Sequence, residues 1–286
     1  MAEAVIAGEC ILFLGAGVHA PPPPDSPFQY PAEQRPPIGS ALSMELAKKC
    51  GFAEDFPGED PGNLQRVGLA YEVDDSREGL VDEIVTAVGS GKAPSPMLTA
   101  LARMNFPIVI TTNYDHLFEE ALRAAGKQPR VSIYKPNLDN SAIEETTEHL
   151  GPTAASPVIY KLHGDLDERG SLVVTDEDYI QFVMRMSDKK PYDPIPESLK
   201  VPLTTHKTLF VGYSLVDYNL RLLLKTLRRK IDPASRAKMY SVDLMPDPLI
   251  LDVWDKQTRY VEFIAQDVWA FVPQLHKFVF GEELAP

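Results

Sequence analysis

Two side chains in this sequence carry groups suited to a reaction centre. His163 follows the apolar run Val158-Ile159-Tyr160-Lys161-Leu162 and precedes Gly164. An imidazole titrating near neutrality can take a proton from a hydroxyl or a water, and a position at a strand end predicts a ring open to a crevice rather than packed. Asn113 stands in Thr111-Thr112-Asn113-Tyr114-Asp115, directly after the apolar Ile108-Val109-Ile110. Asparagine also suits a helix start for backbone reasons, and Thr112 and Asp115 have capping-box spacing, so a chemical and a structural task compete for this stretch. Gly15-Ala16-Gly17-Val18-His19-Ala20 fits the permissive dinucleotide fingerprint, with alanine in the third position. The missing side chains let backbone approach a pyrophosphate, although a glycine pair after a strand also makes a plain tight turn. His19 is near enough to that turn to touch a ligand. Gly212-Tyr213-Ser214 is the fourth cluster, with Ser214 and Asp217 again spaced as a capping box.

Metal chemistry has little to work with. His116, His149, His206 and His276 read as surface or core residues, and no set of them forms a ligand pattern. Cys10 and Cys50 cannot make a four-thiolate zinc site and read as two buried free thiols. No zinc is expected.

These clusters need elements that bring them together. Residues 10–14 are a short apolar run closed by the glycine turn, and 108–111, 158–162 and 208–211 are similar runs, each ending at one of the other clusters. Residues 239–243 and 260–264 read as closing strands with helices after them. Helical patterns at 116–125 and from 214 to about 230 follow two of the strands, which gives an α/β, Rossmann-like and mostly parallel sheet covered on both faces. In such sheets ligands bind at the carboxyl ends of the strands, where the strand order reverses. Four polar clusters at four strand ends therefore predict one crevice. Between the first two strands lie a proline-rich loop, 20–37, and helical patterns at 40–49, 64–73, 79–88 and 96–103, which suggest a small inserted helical module at about 38–105. The loop is expected to form part of the ligand mouth and to order on binding. One domain, 1–286, is expected to contain all of this.

A net charge of −13 disfavours nucleic acid and anionic membranes, and no apolar run approaches the roughly 20 residues that cross a bilayer. With no basic cluster before the first apolar stretch, a cytoplasmic location is expected. Prolines directly after the glycine turn also argue against an ordinary hydride-transfer Rossmann enzyme, where a helix should begin at once.

Gly15-Ala16-Gly17, Thr111-Thr112-Asn113-Tyr114-Asp115, His163-Gly164 and Gly212-Tyr213-Ser214 occur in the order and approximate spacing of the sirtuin domain. The chain resembles the bacterial sirtuin-like branch, which includes antiphage NAD⁺-consuming enzymes. That resemblance implies catalytic roles for Asn113, at the nicotinamide-side ribose and a positioned water, and for His163. It implies nucleotide contacts from Gly15, Ala16, Gly17, His19, Thr111, Asp115, Gly164, Gly212, Tyr213, Ser214 and Asp217, with Ser214 on a phosphate or the adenosine ribose. The paired Cys-x-x-Cys module and the Asp-Phe-Arg loop of the protein deacylases are missing. NAD⁺ glycohydrolysis, giving nicotinamide and ADP-ribose, is therefore expected ahead of deacylation, ADP-ribosyl transfer or a non-catalytic NAD⁺-sensing module. By the same resemblance the expected partners are further copies of this chain, as a homo-oligomer, and a HerA-type hexameric ATPase.

Overall fold

A computed structural model describes residues 1–136, 151–185, 195–215, 221–224, 237–257 and 261–286. Among them, seven strands form one sheet: β1 (Cys10–Leu14), β2 (Ile108–Thr111), β3 (Arg130–Ile133), β4 (Val158–Lys161), β5 (Lys207–Val211), β6 (Met239–Val242) and β7 (Val261–Ile264). Their order is β3-β4-β2-β1-β5-β6-β7, and every pairing is parallel. The expected strands all form, within a residue at each end. The unexpected one is β3, whose Arg130-Val131-Ser132-Ile133 carries too little apolar signal to be read as a buried run and sits at the sheet edge.

Both faces of the sheet are covered, for the reason that its strands are apolar throughout. Leu12 and Leu14 point with Val109, Ile159, Leu209 and Val211 into one core. Helices α1 (Ala2–Ala7), α6 (Pro96–Arg103) and α7 (Leu117–Ala124) cover it, together with the C-terminal helix Val268–Phe280. The alternate residues Ile11 and Phe13 point with Ile110, Tyr160 and Phe210 into the other, beneath helices Asp176–Arg185, Glu197–Thr205 and Pro248–Gln257. This period of two is what a strand buried on both sides requires. A third cluster belongs to α2 (Gly39–Lys49), α3 (Phe52–Asp55), α4 (Leu64–Asp74) and α5 (Arg77–Gly89), which close on Leu166, Leu172 and Val174 from the segment after β4. Among the described residues no helix is long and apolar enough to cross a membrane.

The proline-rich loop is more firmly held than its composition suggests. Phe28 and Tyr30 are buried against Trp269, with ring centroids 6.4 and 6.3 Å away. The Trp269 indole donates to the Ala20 carbonyl at 3.1 Å, and the Tyr30 hydroxyl donates to the Ala93 carbonyl at 2.8 Å. Only Pro36 and Pro37 of this loop reach the cavity described next. The expected mobile lid is thus a strap, pinned in its middle by two buried aromatic rings.

Candidate active site

The chain passes from β1 to one side of the sheet and later crosses to β5 on the other, so the order reverses between β1 and β5. A cavity of about 690 Å³ opens at this point, and it is bounded on the far side by the starts of α2 and α4. Its volume lies within the usual range of small-molecule sites. Ala16, Gly17, His19, Asn113, Asp115, His163, Gly212, Tyr213 and Ser214 line it, so four strand ends far apart in sequence do converge. Gly15, Thr111 and Gly164 are not among the lining residues. Asp217, with the Ser214–Asp217 capping box, lies outside the described residues.

The three that stand back have structural tasks. A Cβ on Gly15 would come within 2.5 Å of the Gly212 carbonyl oxygen, and one on Gly17 within 2.8 Å, so both glycines let the β1 and β5 loops lie against each other. Gly212 answers with φ +68°, a conformation that side chains disfavour. The Thr111 hydroxyl donates to the Leu14 carbonyl at 3.1 Å and accepts from the Asn113 N–H at 3.0 Å, which fixes the bend that presents Asn113. Gly164, at φ +91°, passes so close to Ser171 that any side chain would collide with it.

Asn113, Asp115 and His19 form one buried group. His19 Nε2 lies 3.2 Å from Asp115 Oδ2 and 3.4 Å from Asn113 Nδ2. Burial pushes the Asp115 carboxyl up, but the charge and hydrogen bond of His19 outweigh it and hold the pKa below the usual range. A carboxylate there makes Nε2 the protonated nitrogen of a neutral ring, so Asn113 is better placed with its amide oxygen toward that proton. The expected capping box is not formed. Helix α7 starts at Leu117 with His116 as its N-cap, and Asp115 Oδ1 accepts the Leu117 N–H at 2.9 Å, because its other oxygen is engaged by His19.

His163 borders the cavity but is packed rather than open. It is only 5% exposed, its Nδ1 is 3.3 Å from the Tyr179 hydroxyl, and the rings of Tyr179 and Phe182 meet it edge-on at 5.1 and 6.0 Å. Tyr179 is not legible as a site residue in sequence, since it arrives from a helix with no motif of its own.

Lys161 escapes sequence reasoning as well. Its ammonium, with no side-chain exposure, donates to the carbonyls of Tyr114 at 3.0 Å and Asp115 at 2.6 Å. It also pairs with Asp165 at 2.5 Å and lies 3.4 Å from Glu119. A charged residue inside an apolar strand is the signal that could have found it. Burial raises Asp165, but the hydrogen bond with His116 and the charge of Lys161 outweigh it and hold its pKa at about 2. Burial raises Glu119 in spite of Lys161. His116, expected to lack company, contacts Asp165 at 2.8 Å, and that hydrogen bond raises its pKa. This network locks the loop carrying Asn113 to the strand carrying His163.

Comparison with known proteins agrees with this geometry. The model of the SIR2-like domain matches residues 107–262. An NAD(+) hydrolase ThsA of Enterococcus faecium is 38% identical over 45% of this chain and 24% of its own length. An NAD(+) hydrolase ThsA of Acinetobacter baumannii is 24% identical over 89% of this chain and 52% of its own length. A protein named defense-associated sirtuin 2, from Bacillus subtilis, is 29% identical over 55% of this chain and 14% of its own length. The chain thus spans about half or less of the curated relatives it matches. With the family model covering more than half of its residues and both working side chains inside that span, the chain belongs to the SIR2-like domain family.

Proposed function

We propose that this chain is an NAD⁺ glycohydrolase, cleaving the nicotinamide–ribose bond to give nicotinamide and ADP-ribose. The observation that carries the proposal is the meeting of Asn113, Asp115, His19 and His163 around one cavity at the strand-order reversal. Relatives named NAD(+) hydrolase support it.

Nicotinamide departs with the electrons of the C1′–N bond and becomes neutral, so no acid is needed at the leaving group. The ribose gains oxocarbenium character, and water then captures C1′ while losing a proton. Asn113, positioned by the bend at Thr111 and by His19, orients the ribose and the water. His163, steadied by Tyr179, polarises a ribose hydroxyl or accepts the proton; such transfers contribute about 10²–10⁴-fold. Ala16, Gly17, Gly212, Tyr213 and Ser214 bind the rest of the nucleotide. Supporting tasks for Gly15, Thr111 and Gly164 follow from their backbone contacts.

For the wider setting we propose one catalytic domain over 1–286 with the strap and helical module as insertions, acting in the cytoplasm in antiphage defence. As partners we propose further copies of the chain and a HerA-type ATPase, on the strength of the sirtuin-like resemblance. The test is to incubate purified chain, alone and with such an ATPase, with NAD⁺ and to separate the products and the assemblies by size. Nicotinamide and ADP-ribose in equal amounts are expected. Saturable NAD⁺ binding without turnover in either sample would contradict the enzyme, and a strict monomer indifferent to the ATPase would contradict the assembly.

A further inference from the structure

The glycine turn after β1 has few donors to offer a pyrophosphate, because its amides are already engaged. The Gly15 N–H donates to the Val211 carbonyl at 3.0 Å, Gly17 to Gly212 at 2.8 Å, Val18 to Gly15 at 3.1 Å and Ala20 to Gly17 at 3.1 Å. Nor does an α-helix begin there, since a single 3-10 turn, Ala16–His19, leads straight into the strap. A dinucleotide held in this cavity must have its phosphate charge met elsewhere.

Three helices of eight residues or more start beside the cavity, and two of their N-termini are occupied. The Asp115 carboxylate fills that of α7 by accepting the Leu117 N–H. Asn63 caps α4 by accepting the Arg66 N–H. In α2 no side chain caps the start, and the first internal bond runs from the Leu42 N–H to the Ile38 carbonyl at 2.9 Å. The N–H groups of Gly39, Ser40 and Ala41 have no partner among the described residues. Gly39 and Ser40 line the cavity, and a Cβ on Gly39 would meet nothing within 4 Å. A bare helix N-terminus of this kind concentrates free donors and partial positive charge.

A separate observation also points to a ligand in the same space. His19 is 2% exposed and borders this cavity, and while Asp115 engages its Nε2, its Nδ1 has no hydrogen-bond partner among the described residues. A buried ring nitrogen left alone beside a polar cavity is the mark of a site completed by its ligand.

We propose that the N-terminus of α2, residues 39–41, is the pyrophosphate subsite of this cavity. The helical module inserted after β1 then supplies the anion cradle that the β1 turn supplies in an ordinary dinucleotide-binding sheet. This assignment rests on NAD⁺ being the substrate, as proposed above.

The test is calorimetric titration of ADP-ribose and NAD⁺ into the parent chain and three variants, with melting curves for each. Ser40→Asp places a carboxylate in the first turn, where it favours the helix but repels phosphate. Gly39→Pro deletes one donor at a position where proline is tolerated, and Ile38, at φ −69° and ψ 161°, already has the extended backbone a following proline needs. Asn63→Asp adds the same charge at the occupied start of α4. ADP-ribose affinity should fall about tenfold or more in Ser40→Asp and about threefold in Gly39→Pro, with melting temperatures at or above that of the parent for Ser40→Asp. In Asn63→Asp it should stay within about twofold, since a charge outside the subsite is screened. Parent-like affinity in both α2 variants, or an equal loss in Asn63→Asp, would overturn the subsite while leaving NAD⁺ as substrate. A parent chain that binds neither ADP-ribose nor NAD⁺ would instead overturn the substrate, and the subsite with it.

Discussion

A fully buried lysine is tolerable here because four oxygens surround it, and the balance can be probed by pH. Lys161 meets two backbone carbonyls and lies near the carboxylates of Asp165 and Glu119. Asp165 is held at about 2, below an unfolded carboxylate near 4, so its pairing stabilises the fold above about pH 4 and is lost as pH falls through 2. At roughly 1.4 kcal/mol for each tenfold change in proton affinity, and allowing for solvent screening, this contribution is on the order of 1–2 kcal/mol. Asp165→Asn should therefore melt lower than the parent at pH 7, and the gap should narrow between about pH 4 and pH 2. A gap that stays constant over that range would contradict this account of the pair. At the same scale, Asn113 and His163 are legible in sequence because their types stand out at strand ends. Lys161 is hidden inside Val158-Ile159-Tyr160-Lys161-Leu162, where a lysine's partners come from another strand end and leave no local trace.

At the scale of elements, β1, β2, β4 and β5 are readable because strands buried on both faces need unbroken apolar runs. Their order is not, since sequence carries no local mark of which strand lies beside which. That order decides the meaning of the glycines. Gly15 and Gly17 look like a phosphate turn in sequence, but their backbone lies against Gly212 across the β1–β5 gap. The proline-rich segment misleads in a related way: its composition suggests a mobile lid, whereas Phe28 and Tyr30 anchor it to Trp269. Gly212→Ala tests the contact between the two loops. Its φ of +68° disfavours a side chain, and the added methyl would collide with the backbone of Val18. A loss of about 1–3 kcal/mol is expected, together with weaker ligand binding. A variant as stable as the parent would show that the loops separate readily.

For the whole molecule, the sheet places the chemistry, the inserted helices close the far side of the cavity, and the buried Lys161 network ties the two working loops together. The central claim is that Asn113 acts in NAD⁺ cleavage rather than in holding the fold. Its side chain only flanks the His19–Asp115 contact, and the helix after it is started by Asp115 rather than by Asn113. His163 is a poorer probe, since its removal also strips the ring contacts with Tyr179 and Phe182. The most direct measurement is nicotinamide release from NAD⁺ by the parent and by Asn113→Ala, each assembled with whatever partner the parent needs, alongside melting curves. The account predicts a loss of about 10²-fold or more in rate with the melting temperature nearly unchanged. Parent-level release by a folded Asn113→Ala would contradict it.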